Sequence, residues 1–242
     1  MTYGSGAGIL IAVDGIDGAG KTTQVGRICD ALISAGEVVV ASKEPTNGEH
    51  GRRLRESART GRLSPDEELK TFVADRREHV ATVIMPALAQ GHVVLLDRYF
   101  YSTLAYQGAR TGQDPCQLYE LMREFPTPDI AFLVDVLPEV GLHRIAELRG
   151  EIPNEFERLE ALREIRSLFL QLETCAPEIC HIDGNARVEV VYHDIIHQLL
   201  NVLQRKRCVK PYQCDMLFCS YRQTGECVWP AERAKLLASA DS

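Results

Sequence analysis

The sequence predicts an α/β fold in three layers, a five-stranded parallel sheet between two sets of helices, followed by a small cysteine-rich tail. Three observations predict it. Short apolar runs recur along the chain and alternate with segments of helical periodicity. Those runs are apolar throughout rather than alternating in polarity, as strands covered on both faces are. The first run leads straight into Gly15-Ile16-Asp17-Gly18-Ala19-Gly20-Lys21-Thr22, which is a glycine, four residues and Gly-Lys-Thr, the spacing of a phosphate-binding loop between a strand and a helix.

In chain order, Ile9-Leu10-Ile11-Ala12-Val13 is the first strand. After Thr22, Val25, Ile28, Cys29, Leu32 and Ile33 form one apolar helical face, and Gly36 stands where a helix ends on a left-handed residue. Val38 to Ala41 reads as a second strand, running out into Ser42-Lys43-Glu44-Pro45-Thr46-Asn47-Gly48. Glu44 thus leaves the carboxyl end of a strand, the edge at which parallel sheets bind ligands. Pro65 to Gln90 predicts one long helix stopped by Gly91. Its apolar stripe is Leu69, Phe72, Val73, Val80, Val83, Ile84, Ala87 and Leu88, mostly core, with Arg76 one turn beyond Phe72. Val93 to Leu96 is the third strand, and Asp97-Arg98-Tyr99 follow at its carboxyl end. Beyond them Tyr101, Ser102, Thr103 and Tyr106 are dense in hydroxyls and rings, more like a recognition surface than a solvated loop. Ile130 to Val134 is the fourth strand, closing on Asp135, and Pro138 opens a helix towards Arg149-Gly150. After a polar break at 151–154, Phe156, Leu159, Leu162, Ile165, Leu168, Phe169 and Leu172 mark the next helix. Ile179 to Ile182 is the fifth strand and Val188 to Leu203 a closing helix.

Composition narrows the function. The chain has 242 residues, 45% hydrophobic and 25% charged, enough to bury a proper core. A net charge of -7 and a pI near 5.6 argue against a nucleic-acid partner, because that role leaves a basic footprint. No apolar run approaches the roughly 20 residues that span a bilayer, and the N-terminus lacks the regions of a signal peptide, so the expected location is cytoplasmic. Eight cysteines are many for that compartment and call for burial or a metal.

Glycines 15, 18 and 20 let the loop turn its N–H groups towards phosphate oxygens, so Gly15, Ile16, Asp17, Gly18, Ala19, Gly20, Lys21, Thr22 and Thr23 are the expected ATP-binding set. Lys21 would meet the β- and γ-phosphates and the Thr22 hydroxyl the bridging Mg²⁺. Asp97, an acid directly after an apolar strand, is the expected carboxylate on the Mg²⁺ side. Arg98 is a planar donor suited to a phosphate.

Together these pieces resemble the thymidylate kinase family of P-loop NTPases. The resemblance rests on residues 14–24, Lys43-Glu44-Pro45-Thr46, Phe72-Val73-Ala74-Asp75-Arg76, Asp97-Arg98-Tyr99, Ser102-Thr103, Ala105-Tyr106-Gln107-Gly108 and Pro128-Asp129, in order over residues 8 to 204. It implies transfer of the γ-phosphoryl of Mg·ATP to dTMP by a homodimer. It also implies that Phe72 stacks on thymine, Arg76 bonds its polar edge and Gln107 finishes the base pocket. Arg98, with Arg55, would hold the acceptor phosphate; Asp17 would meet the 3′-hydroxyl and Tyr106 the sugar, with Glu44 beside them.

Two departures stand out. The family's catalytic arginine usually comes from the P-loop or from the lid before a Phe-Glu pair, and those positions here are Gly18 and Glu155. Of Arg144, Arg149 and Arg158 in a lid at about 144–158, Arg149 is the expected replacement, because Arg149-Gly150 matches the lid entrance. Lys21, Arg98, Arg149 and Asp97 are therefore the expected catalytic set. The second departure is the tail, 205–242, appended to a kinase domain at 1–204. Cys208, Cys214, Cys219 and Cys227 suit Zn²⁺ or an iron–sulfur cluster, or else reduced or redox-active thiols; Cys29, Cys116 and Cys175 read as buried or incidental. Two rival functions are a monophosphate kinase of altered base choice and a nucleotide-binding regulator whose tail senses metal or redox state.

Overall fold

The computed structural model describes residues 8–149 and 155–207. The cysteines at 208, 214, 219 and 227 and the polar break at 151–154 lie outside the described residues, as does the side chain of Arg149.

Five strands, β1 (Ile9–Asp14), β2 (Val39–Lys43), β3 (Val93–Asp97), β4 (Ile130–Asp135) and β5 (Ile179–Asp183), form one sheet in the order β2-β3-β1-β4-β5. Every pairing is parallel. β1, β3 and β4 are nearly fully buried, which is why their sequences carry no polar alternation. The connection from β1 passes to β2 on one side, and that from β3 crosses β1 to β4 on the other. Such a reversal opens a crevice at the carboxyl ends of the central strands. The register levels Val13 with Asp97 and Asp97 with Lys43, so the polar residues that end β1, β2 and β3 share this edge.

The helices are α1 (Lys21–Ser34), α2 (Glu49–Thr60), α3 (Pro65–His79), α4 (Met85–Ala89), α5 (Phe100–Thr111), α6 (Pro115–Leu121), α7 (Pro138–Arg149), α8 (Glu155–Leu172) and α9 (Val188–Arg207). α1 ends as expected, with Gly36 at φ +94°. α9 runs past 204 to Arg207. The long helix expected from Pro65 to Gln90 is continuous, but α3 and α4 are joined by a π-helical turn, Val80–Ile84. Pro86 explains the turn, since it has no N–H for the α-helical ladder and its ring crowds the carbonyl four residues back. A Ser64–Glu67 capping box starts α3.

Two expectations are corrected. The most buried face of α3 is polar, made of Glu68, Thr71, Asp75, Arg76 and His79, while Leu69, Val73 and Val80 are only partly buried. Charges survive there because each has partners, described below. Cys116 and Cys175 are not incidental thiols, since they form a disulfide joining the start of α6 to the segment after α8. α8 packs along both α5 and α6, which brings the two sulfurs together although 59 residues separate them.

Candidate active site

The phosphate loop folds as its glycines require. Gly15, Gly18 and Gly20 have φ of +143°, +79° and +88°, a region that residues with a Cβ resist. At Gly18 space is short as well, because a Cβ there would lie 2.1 Å from the Gly141 carbonyl oxygen of α7. Ile16 and Ala19 turn into the core, so these two residues offer the loop's ligand their backbone rather than their side chains. Lys21 begins α1, is 6% exposed, and donates from Nζ to the Ile16 carbonyl at 2.7 Å. Burial, reinforced by the neighbouring Arg98 charge, pushes its pKa down to about 7. Thr22 and Thr23 are exposed at the start of α1, where unpaired N–H groups favour an anion.

Asp97 ends β3 beside this loop. Its Oδ2 accepts the Thr22 hydroxyl at 2.6 Å, so the hydroxyl and the carboxylate expected to serve Mg²⁺ already meet. Two oxygen ligands of this type, completed by phosphate and water, fit Mg²⁺. Among the described residues no group of three or more His, Cys, Asp or Glu side chains could hold a metal, so the Mg²⁺ fit rests on this pair and the loop.

Arg98 follows in a left-handed conformation, φ +71°, a strain worth noting in a non-glycine residue. The bend sends its guanidinium back across the loop, donating to Asp17 Oδ1 (2.5 Å), Gly15 O (3.3 Å) and Ser102 Oγ (3.0 Å). Burial alone would raise the Asp17 pKa, but the Arg98 and Lys21 charges outweigh it and hold the carboxyl below its ordinary value. Arg158 adds to that pull, so its charge reaches the loop, whereas Arg144 donates to the Gly184 carbonyl at 3.0 Å.

A cavity of about 160 Å³ opens next to Arg98. Asp17, Glu44, Phe72, Arg76, Arg98, Tyr106 and Gln107 all line it, seven positions drawn from the loop, the β2 and β3 edges, α3 and α5. Arg55 is not among its lining residues. From α2 it donates to the carbonyls of Pro45 (3.0 Å) and Thr46 (2.7 Å) and to Asn47 Oδ1 (3.2 Å), bracing the loop that carries Glu44 and its cis Glu44–Pro45 bond.

Arg76 is 1% exposed, and its Nε and Nη2 pair with Glu44 at 2.8 and 2.7 Å. Nη2 also donates to Thr103 Oγ1 at 2.9 Å, and Nη1 makes only a weak 3.5 Å contact with Met122 Sδ. One Nη1 N–H is thereby left for a ligand. His79, held to Glu44 at 3.0 Å and to Ser42 Oγ at 2.8 Å, fixes the carboxylate from behind. Two buried polar atoms of the cavity's lining residues, Tyr106 Oη and Gln107 Oε1, have no hydrogen-bond partner. Native interiors seldom leave such atoms alone, so they mark where a polar ligand belongs. A larger cavity, about 590 Å³, is walled by Lys43, Asn47, Glu78, His79 and Asp97 and lacks the ring and arginines of the smaller one.

Residue-level reading of the sequence missed several contributors. Asp14 accepts from the N–H groups of Tyr99 (3.1 Å) and Ser102 (3.0 Å) and so caps α5 from β1. Glu68 anchors Gln107 and two arginines. The spacing of Glu68, Phe72 and Arg76, four residues apart, was the available signal that they share a helix face.

A phosphate loop with its Mg²⁺-side pair, and a second polar cavity reached by the same arginine, define a P-loop kinase that acts on a small phosphorylated acceptor. The family profile described as Thymidylate kinase matches residues 13–195. A thymidylate kinase of Xanthomonas oryzae pv. oryzae (strain PXO99A) is 50% identical over 184 residues, 76% of this chain and 79% of the relative. One of Xylella fastidiosa (strain M12) is 46% identical over 197 residues, 81% and 89% of the two chains. The chain belongs to the thymidylate kinase family.

Proposed function

We propose that this chain phosphorylates dTMP to dTDP with Mg·ATP, an oxygen of the acceptor monophosphate displacing ADP from the γ-phosphorus. The observation that carries the reading is Arg98, which touches the phosphate loop at Gly15 and Asp17 and also lines the acceptor cavity. One side chain can thus align donor and acceptor phosphates, and alignment with charge neutralisation is most of what phosphoryl transfer needs. Lys21 holds the β- and γ-oxygens. Mg²⁺, held by Thr22 and Asp97, supplies further neutralisation when bound.

In the cavity, Phe72 stacks on the base, Arg76 gives its spare N–H to a base carbonyl and Gln107 Oε1 accepts from the ring. Tyr106 closes on the sugar where a ribose would carry a 2′-hydroxyl, and Asp17 meets the 3′-hydroxyl. Arg55 supports the acceptor side through the loop it braces. The relatives do not favour an altered base choice or a purely regulatory role.

ADP release measured with dTMP, dUMP, UMP, dCMP, CMP, GMP and AMP tests the reading. Strong preference for dTMP is expected; ATP binding without acceptor-dependent turnover would sink it. For the transferring phosphoryl we assign Arg149, at the end of α7, with Arg158 the alternative because its charge reaches Asp17. Arg149→Ala should cost about a hundredfold or more in kcat; a change of only a few-fold, with Arg158→Ala costing more, reverses the assignment.

A homodimer is proposed from the family, and light scattering checks it. No described helix is long and apolar enough to cross a membrane, and we place the enzyme in the cytoplasm. For Cys208, Cys214, Cys219 and Cys227, metal analysis of anaerobically purified protein separates Zn²⁺ or an iron–sulfur cluster from free thiols.

A further inference from the structure

We propose that Glu68 is a specificity-determining residue of the acceptor site, acting through Gln107 to make the cavity read the imide edge of thymine or uracil and refuse cytosine. The proposal rests on Gln107 being the base contact argued above.

A glutamine amide is ambiguous, because rotating it by half a turn exchanges a donor for an acceptor at the same place. A site that tells thymine from cytosine cannot leave that rotation open. Thymine presents N3–H, a donor, where cytosine presents a bare N3, an acceptor. Glu68 closes the choice. Its carboxylate is buried, 7% exposed, and lines the same cavity. Oε2 accepts Gln107 Nε2–H at 2.8 Å. A carboxylate between two guanidiniums only accepts, and the neighbours here are Arg110 Nη1 at 2.5 Å and Arg62 Nε at 3.0 Å. The reversed amide would set Gln107 Oε1 against that negative oxygen. Nε2 therefore stays on Glu68, and Oε1 is the amide atom left buried and unpartnered. Such an acceptor rewards N3–H and faces a bare N3 of cytosine with a second lone pair. Arg110 of α5 is itself held by the Leu63 carbonyl, and Arg62 comes from the same loop between α2 and α3, so the carboxylate is clamped from both sides.

The test compares kcat/KM for dTMP, dUMP and dCMP, with dCMP also titrated as a competitor of dTMP. Glu68→Gln keeps the shape but offers Gln107 both a donor and an acceptor, which frees the amide to rotate. The expected result is a dCMP:dTMP ratio about tenfold higher, the scale on which one unpaired buried polar group discriminates, with Arg76 keeping part of the selectivity. The dUMP:dTMP ratio should not move, since those two bases share the imide edge. Were Glu68 only structural, all three acceptors would fall together at constant ratio, and that outcome overturns the proposal. Glu68→Asp, which keeps the charge for both arginines and withdraws the acceptor by one methylene, must shift the dCMP:dTMP ratio in the same direction. It decides the matter should Glu68→Gln not fold. Gln107→Met separates the two layers. An unchanged ratio in that variant removes Gln107 as a base contact, whereas a changed ratio there with no rise in either Glu68 variant removes Glu68 alone.

Discussion

Lys21 shows how a single residue is tuned by its surroundings. Burial and the Arg98 charge bring its pKa to about 7 from an ordinary 10.5, so between those values the unfolded chain binds a proton that the folded one lacks. Stability of the nucleotide-free enzyme should therefore rise with pH across that window. A bound triphosphate reverses the balance by returning a counter-charge to the ammonium. At pH 8 ATP binding should take up about one proton more in the parent than in Lys21→Met, read by calorimetry in buffers of different ionisation enthalpy; equal uptake would show that Lys21 is already charged. The Glu44–Arg76 pair carries the opposite lesson. Both side chains are almost completely buried, and breaking such a pair strands a charge. Glu44→Gln should cost about 3 kcal/mol in urea unfolding, beyond any effect on dTMP binding.

At the scale of elements, the phosphate loop and α7 touch backbone to backbone. A Cβ on Gly18 would strike the Gly141 carbonyl, and a Cβ on Gly141 would lie 2.7 Å from the Asp17 carbonyl. This contact accounts for the missing loop arginine, because position 18 has no room for any side chain while α7 stays in place. Gly18→Ala combines that clash with an unfavourable φ and should destabilise the protein by about 2 kcal/mol while raising the KM for ATP. A variant with parental stability and KM would mean that α7 gives way freely. The same contact couples the loop to α7, so loop substitutions here also act on that helix.

For the molecule as a whole, the Cys116–Cys175 bridge closes a loop of 59 residues that contains α6, β4, α7 and α8. Constraining a loop of this length stabilises by about 2–4 kcal/mol, mainly through the unfolded chain. Cys116→Ser should lower the unfolding free energy by about that amount without reductant and by little in its presence. Equal loss under both conditions would point to packing of the sulfur instead. Because α8 packs on α5, which carries Tyr106 and Gln107, the bridge also steadies the wall of the cavity of about 160 Å³.

The local pattern of the chain determined the strands, the phosphate loop, the helix that follows it and the carboxyl-edge position of Glu44, Asp97 and Arg98. Apolar runs of that length have few other fates, and glycine spacing is a local property. Seven of the eight positions expected around the acceptor meet in one cavity for the same reason, being carried to one sheet edge by regular elements. What the sequence did not disclose depends on residues far apart in it. α5 has no side-chain cap of its own and is capped by Asp14, 85 residues before Tyr99, so its start was invisible locally. α3 was read as apolar because charged residues suggest solvent, yet Glu68, Asp75 and Arg76 are buried once α5 and the 44–46 loop supply their partners. The family resemblance implies Arg55 as a phosphate ligand, whereas the tertiary structure gives its donors to a loop. Periodicity reports which face of an element is apolar; only the folded chain decides which charges find partners, and in this enzyme those partners shape the site.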